Sequence, residues 1–204
     1  MNRDLEELVE LFEEANRRFI DNNERLFEID VNERTLCGAL LVELYKVLYE
    51  YDYSDYYVDV EYNRRIRRTG KEEDKVYIKS VSCSIDKSQI INCDLIVHGR
   101  GKLSKHDNLI ALEMKKTKKN GELRRPRKDT EEISDRDRLM VLTESERECN
   151  RGNINHFFGY ELGVFYKVNH YAGVANAEYY SHGKHIDNSE DWLIPKARKI
   201  HRVK

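Results

Sequence analysis

Asn108-Leu-Ile-Ala-Leu-Glu-Met-Lys-Lys116, read beside Ile91-Asn-Cys-Asp-Leu-Ile-Val-His98, is the stretch that decides the fold. Both runs are short, apolar and rich in Ile, Leu and Val, and polar loops bound them, as expected of buried strands. A buried strand does not carry ionisable groups unless they are paired or used. Asp94, Glu113 and Lys115 lie inside these two. Side chains alternate across a strand, so Glu113 and Lys115 share one face, about 7 Å apart along the chain. Ile110, Leu112 and Met114 take the other face and fill a core. In the first run, Cys93, Leu95 and Val97 are expected on one face, with Asp94 and Ile96 on the other. If the runs pair side by side, Asp94, Glu113 and Lys115 meet at one place on a sheet.

The chemistry of such a meeting is restricted. Two neighbouring carboxylates resist ionising together unless a cation lies between them. Oxygen-only ligation suits Mg²⁺ or Mn²⁺ better than Zn²⁺. A lysine beside the metal can orient or deprotonate a water, or neutralise charge building on a phosphate. The pattern therefore points to metal-assisted phosphodiester hydrolysis. The plain alternative is a structural ion pair of Lys115 with Asp94 or Glu113.

The length fits one domain, residues 1–204, with an N-terminal helix at 4–20 and a basic tail at 195–204. Charged residues make up 36% of the chain and the net charge is −2. That balance decides nothing about nucleic acid, but its distribution is uneven. Asp4, Glu6, Glu7, Glu10, Glu13 and Glu14 make the first helix acidic, whereas Lys115 to Lys128 holds eight Lys or Arg against one Glu. Cys37, Cys83, Cys93 and Cys149 form no Cys-x-x-Cys pair and fit free thiols. With no signal peptide and no long apolar run, a soluble cytoplasmic protein without membrane contact is expected.

Working outward, Leu5, Leu8, Leu11, Phe12 and Phe19 recur at helical spacing over Asp4 to Ile20. A second helix spans about Asn32 to Tyr51, with Asn32 as N-cap and Leu36, Cys37, Leu40, Leu44, Val47 and Leu48 as its apolar stripe. Glu33 lies on the midline of that stripe, so it either reaches an inner partner or complements the helix dipole. Tyr57 to Tyr62 reads as a strand, Asn63 to Lys75 as a basic loop, and Val76 to Ser82 as a second strand before a turn near Asp86 to Ser88. Lys116 to Lys128 reads as a basic loop, and Thr130 to about Glu148 as a helix anchored by Ile133, Leu139, Met140 and Leu142. Tyr160 to Val168 and Ala172 to Tyr180 close the sheet around Asn169-His170, and Trp192, Leu193 and Ile194 dock the tail. The order predicts an α/β fold, a mixed central sheet flanked by helices.

That order and those residues resemble the PD-(D/E)XK nuclease superfamily, with its restriction-endonuclease-like core of helix, three strands, helix and strand. The family's helix acid, strand Asp and Glu-x-Lys fall on Glu33, Asp94, Glu113 and Lys115. More closely, the chain is similar to a family of small prokaryotic proteins of that fold. The matching pieces are Asn32-Glu-Arg-Thr-Leu36, Val58-Asp-Val-Glu-Tyr-Asn-Arg64, Asp94-Leu-Ile-Val-His-Gly-Arg100, Asn108 to Lys115, and Asp135-Arg-Asp-Arg-Leu139. Two departures stand out. Cys93 replaces the Pro before the Asp, and Arg138 stands where the family often has Lys, keeping the charge and not the geometry.

The resemblance implies a Mg²⁺- or Mn²⁺-dependent nuclease. Asp94, Glu113, the Met114 carbonyl and Glu33 would hold the metal, and Lys115 would position the attacking water. DNA is expected over RNA, with a role in host defence or mobile-element maintenance. A homodimer is implied too, since cutting two strands needs two sites. Asn63, Arg64, Lys116, Lys118, Lys119, Arg124, Arg125 and Arg138 are the expected nucleic-acid contacts. A charge run is also commonly a solvated loop, and the same fold also serves as a non-catalytic nucleic-acid-binding or assembly module. Three further features have weaker readings. His182-Gly-Lys-His185 lacks the Glu of the helical zinc pattern. The tyrosines at 49, 51, 53, 56 and 57 can stack on bases or cover a helix end. Glu61 is an alternative to Glu33, although sharing a face with Tyr57 and Asp59 makes it read as a polar sheet edge.

Overall fold

A computed structural model of the chain describes residues 3–62, 64–67, 75–78, 80–84, 87–90, 92–103, 106–117, 134–144 and 158–197, with the backbone alone at 3, 4 and 64–90. Three helices come first: α1 (Arg3–Asn22), the short α2 (Glu24–Glu28) and α3 (Glu33–Glu50). Strand β1 (Tyr57–Val60) is followed by two hairpins, β2 (Arg64–Arg67) with β3 (Lys75–Ile78) and β4 (Ser80–Ser84) with β5 (Lys87–Ile90). Then come β6 (Leu95–His98), β7 (Asn108–Lys116), α4 (Asp135–Thr143), β8 (Leu162–Asn169), β9 (Val174–Ser181), β10 (Lys184–Asn188) and β11 (Trp192–Leu193).

The main sheet runs β1-β6-β7-β8-β9-β10, with β11 also on β9. Every pairing in it is antiparallel except β7 with β8, which is parallel. This is the mixed α/β sheet expected from the element order. Its parallel joint exists because the chain leaves β7, crosses through α4 and returns, as a parallel pair requires.

Apolar alternation builds a layer on each face. Leu5, Leu8, Leu11, Phe12 and Phe19 of α1 and the whole predicted stripe of α3 are buried against Leu95, Val97, Ile110, Leu112, Met114, Val164 and Tyr166. The Asn32 side chain accepts the Thr35 N–H at 2.9 Å, the expected N-cap. On the other face Leu139 and Leu142 of α4 pack with Ile96, Ala111, Phe165 and Tyr180. Gly163 permits the close approach of that helix, because a Cβ there would lie 3.1–3.3 Å from Tyr180, Thr143 and Leu139. Trp192 docks edge-on to Phe12 and Ile194 is buried, but Leu193 is exposed.

Several boundaries and placements differ from the sequence reading. The basic loop 63–75 contains strand β2, and the strand expected at 76–82 is split between two hairpins off the main sheet. No sustained run of Ile, Leu and Val fills that segment, so it has little apolar surface to bury in the sheet. The strand expected from Ile91 begins at Leu95, so alternation does not govern Cys93. Cys93 packs with Ile96 on the α4 face, not with Leu95 and Val97. Helix α4 is shorter than 130–148; Met140 is only half-buried, and Ile133 lies outside the described residues. Strand β10 is exposed throughout, which left no apolar period to find.

Glu178 of β9 is one of the carboxylates that tie helix α4 to the sheet. Glu178 accepts from Arg136 Nε at 2.6 Å and Nη2 at 2.8 Å and from the Tyr180 hydroxyl at 2.9 Å, while Lys167 Nζ lies 3.1 Å away. These donors, Arg136 foremost, hold the Glu178 carboxyl down from the ordinary 4.5 to about 2. A depressed folded value means stability that is present above the unfolded pKa and lost as pH falls through the folded one. Glu178→Gln should therefore cost about 1–2 kcal/mol at pH 7, allowing for solvent screening. Denaturant unfolding should show its difference from wild type narrowing between pH 4.5 and 2. A pH-independent difference would rule out the charge as the cause.

Candidate active site

Strand β7 separates the site residues by alternation. Met114 turns into the α3 side and is fully buried, whereas Glu113 and Lys115 turn toward α4. The ladder between β6 and β7 ends at Leu95 opposite Leu112, so the edge of β7 beyond it has no strand partner from β6. Backbone N–H groups there need acceptors. Two carboxylates supply them. Asp94 Oδ2 accepts the Met114 N–H at 2.8 Å, and Glu33 Oε1 accepts the Lys116 N–H at 2.9 Å. The Met114 carbonyl leaves the strand on the same edge as its N–H. Asp94 at the mouth of β6 and Glu33 at the first turn of α3 thus sit side by side on the open end of β7.

Lys116 holds this arrangement. Its ammonium bonds Asp30 Oδ1 at 2.5 Å and also reaches the Asp30 and Val31 carbonyls. Asp30 has φ of 53°, a left-handed turn just ahead of α3. His170, wholly buried at the β8–β9 turn, donates from Nδ1 to the Phe27 carbonyl at 3.0 Å. The chain before α3 is thereby strapped to the sheet, and Glu33 is delivered to the edge of β7.

The α4 face carries the rest. Glu113 is 1% exposed, and Arg138 Nε stands 3.2 Å from its Oε1 without hydrogen-bond alignment, leaving that oxygen unsatisfied. Lys115 Nζ lies 3.3 Å from Asp135 Oδ2, and Arg138 also grips Asp135. Burial first, and the Asp94 and Asp135 charges second, push the Glu113 carboxyl well above the usual range against the pull of Arg138. Asp94 is raised as well, chiefly by burial. Burial works to lower Lys115, but Asp135, Asp94, Glu113 and Glu33 together outweigh it and hold the ammonium above its ordinary value. Cys37, buried beside Met114 with the sulfurs 3.8 Å apart, stays a thiol because of burial and these same carboxylates.

Asp94, Glu113, Lys115 and Glu33 are therefore brought together in mutual electrostatic reach. Of the expected nucleic-acid contacts, Lys116 and Arg138 are each 16% exposed and bound to the site's own acids. Arg64 lies in β2 with only its backbone described, and Asn63, Lys118, Lys119, Arg124 and Arg125 fall outside the described residues. Glu61 is not a competitor for Glu33: it leaves β1 with φ of 49° and pairs with exposed Arg34. Asp59, instead of lining a polar edge, binds His98 and Arg100. Tyr53 and Tyr56 pack at the end of α3. Asp135 and Asp30 escaped sequence reasoning as site residues. Asp135 had a signal in its i, i+3 spacing to Arg138.

The donors fit a hard divalent cation. They are all oxygens, Glu113 keeps a buried oxygen without a donor, and Asp94 stands next to it with its charge disfavoured. Among the described residues no three His, Cys, Asp or Glu already converge on one point. Family models, curated proteins and solved structures yield no match to this chain.

Proposed function

We propose that this chain is a divalent-metal-dependent nuclease hydrolysing phosphodiester bonds, with DNA as its first substrate, on a restriction-endonuclease-like core. The observation that carries the reading is the open end of β7. Asp94 and Glu33 cap it, and Glu113 and Lys115 leave from its α4 face. The order α3, β1, β6, β7, α4, β8, with β8 parallel to β7, supports the same core.

Asp94 and Glu113 would hold Mg²⁺ or Mn²⁺, with the Met114 carbonyl and Glu33 on the same edge. Such an ion supplies an acidified water and polarises a phosphoryl oxygen. The protein's own residues do the remainder. Lys115 stays cationic under the combined field of four carboxylates, so it serves as a charge stabiliser and water-orienting donor, not as a base. Arg138 and Asp135 position it through the α4 ion pairs. Cleavage of both strands of a duplex would need two copies of the site.

The test is cleavage of plasmid, linear duplex, single-stranded DNA and RNA with and without Mg²⁺. Metal-dependent products on DNA support the reading. Binding without products on any substrate favours a non-catalytic nucleic-acid-binding module, which the satisfied Lys115–Asp135 and Arg138–Asp135 pairs also suit.

The basic segment after β7 has its own expected result. Neutralising Lys118, Lys119, Arg124, Arg125 and Arg127 should weaken DNA binding and flatten its salt dependence, because fewer counterions are released. Equal slopes of log affinity against log salt for the two proteins would show that the segment is merely solvated.

A further inference from the structure

At the far end of the sheet, about 20 Å along β7 from Lys115, lies a cavity of about 310 Å³. Leu5 and Leu8 of α1 and Leu109 of β7 make its apolar floor, and Tyr53 and Tyr56 form an aromatic wall with ring centroids 5.7 Å apart. His106, Glu161, Ser181 and His182 complete the lining. A concave apolar site with a few convergent polar groups is the usual form of a small-molecule pocket.

The hydrogen bonds fix what the polar groups offer. Ser181 Oγ donates its single proton to the Glu161 carbonyl at 2.8 Å. His182 Nδ1, 3.0 Å from Ser181 Oγ, must therefore donate to that hydroxyl oxygen. His106 Nδ1 stands 2.9 Å from Glu161 Oε1, a carboxylate that only accepts, so this Nδ1 also donates. In the neutral rings both Nε2 atoms are then acceptors. His106 is held in place at φ of 53°, with its carbonyl bonded by the Tyr56 hydroxyl at 2.8 Å. The lining thus joins apolar residues to a set of acceptors, two imidazole nitrogens and the Glu161 carboxylate.

We infer that this cavity binds a small organic molecule with a planar apolar body and an amino or amidinium head, the body on the leucines and tyrosines and the head on Glu161. His185, the other half of the His182-Gly-Lys-His185 motif, takes no part; it packs edge-on to Tyr180. The site is independent of the nuclease reading, and its test uses neither metal nor nucleic acid.

Benzamidine is the probe, benzoate the control of opposite charge, and the readout is methyl NMR of the full chain. Saturable shifts at the Leu5, Leu8 and Leu109 methyls with benzamidine and none with benzoate are expected. Glu161→Gln should weaken binding about tenfold or more, as loss of a charged hydrogen-bond partner does. His182→Ala, at an exposed position, should weaken it less. Absence of saturable shifts at these methyls, equal response to benzoate, or unchanged affinity in Glu161→Gln would overturn the site.

Discussion

Asp94→Asn should remove Mn²⁺ binding and Mg²⁺-dependent cleavage together while leaving the fold intact. The side-chain oxygen of Asn can still accept the Met114 N–H, so the open end of β7 stays capped. What disappears is the charge that a hard cation needs. A metal ion contributes several kcal/mol to a phosphoryl transition state, so cleavage should fall at least about 10³-fold. Stability should move the other way, if at all. The Asp94 carboxyl is raised in the folded chain, mainly by burial. A raised value contributes stability fully below the unfolded pKa and loses it as pH rises through the folded one. At neutral pH the wild-type carboxylate is therefore a burden without its cation, and the variant should unfold no earlier. Calorimetry with Mn²⁺ decides the matter: unchanged affinity in Asp94→Asn would remove the metal site at this edge.

Lys115→Ala separates a catalyst from a binding module. The ammonium is kept charged by Asp135, Asp94, Glu113 and Glu33. It would serve where negative charge develops, in the transition state more than in the bound substrate. Cleavage should drop by about 10²–10⁴-fold while metal and DNA affinity change far less. Lys115→Arg should not restore it, because a planar guanidinium cannot take the place of a point charge. Single-turnover cleavage with Mg²⁺, set beside a DNA-binding titration with Ca²⁺, provides both readouts. Wild type that binds DNA yet cuts no faster than Lys115→Ala on any substrate would leave only the binding module.

Much of this arrangement was legible in the sequence because it lies within two periodic elements. The bounds of β7 and the stripe and cap of α3 follow from local alternation and spacing, whereas Asp94 lies just outside β6 and is placed by its bond to the Met114 N–H. The unread parts depend on partners distant in the chain. Lys116 looks like the first residue of a basic loop, yet it is tied to Asp30, and nothing local to either announces the other. Arg138 was legible as a cation on a helix but not as the neighbour of Glu113. The His106–Glu161–His182 rim joins a loop residue, a residue read as part of the strand Tyr160 to Val168 and one read with His185, and nothing local to any of them announces the others. Exposed β10 shows the same limit, since a strand with no buried side chain has no apolar period.

The single parallel joint of the sheet has a kinetic consequence. β7 and β8 are neighbours in space, but the chain between Lys116 and Leu162 must first loop back. Closing that span costs entropy before any contact across it repays the loss, so the joint belongs to the slow part of folding. Helix α4, whose Asp135 and Arg138 hold the acids and lysine of β7, docks mainly on β8. The crowding of Asp94, Glu113 and Asp135 is therefore completed on the native side of the folding barrier. Neutralising Asp94 or Glu113, whose charged forms burial disfavours, should slow unfolding more than it speeds folding, the signature of interactions absent from the transition state.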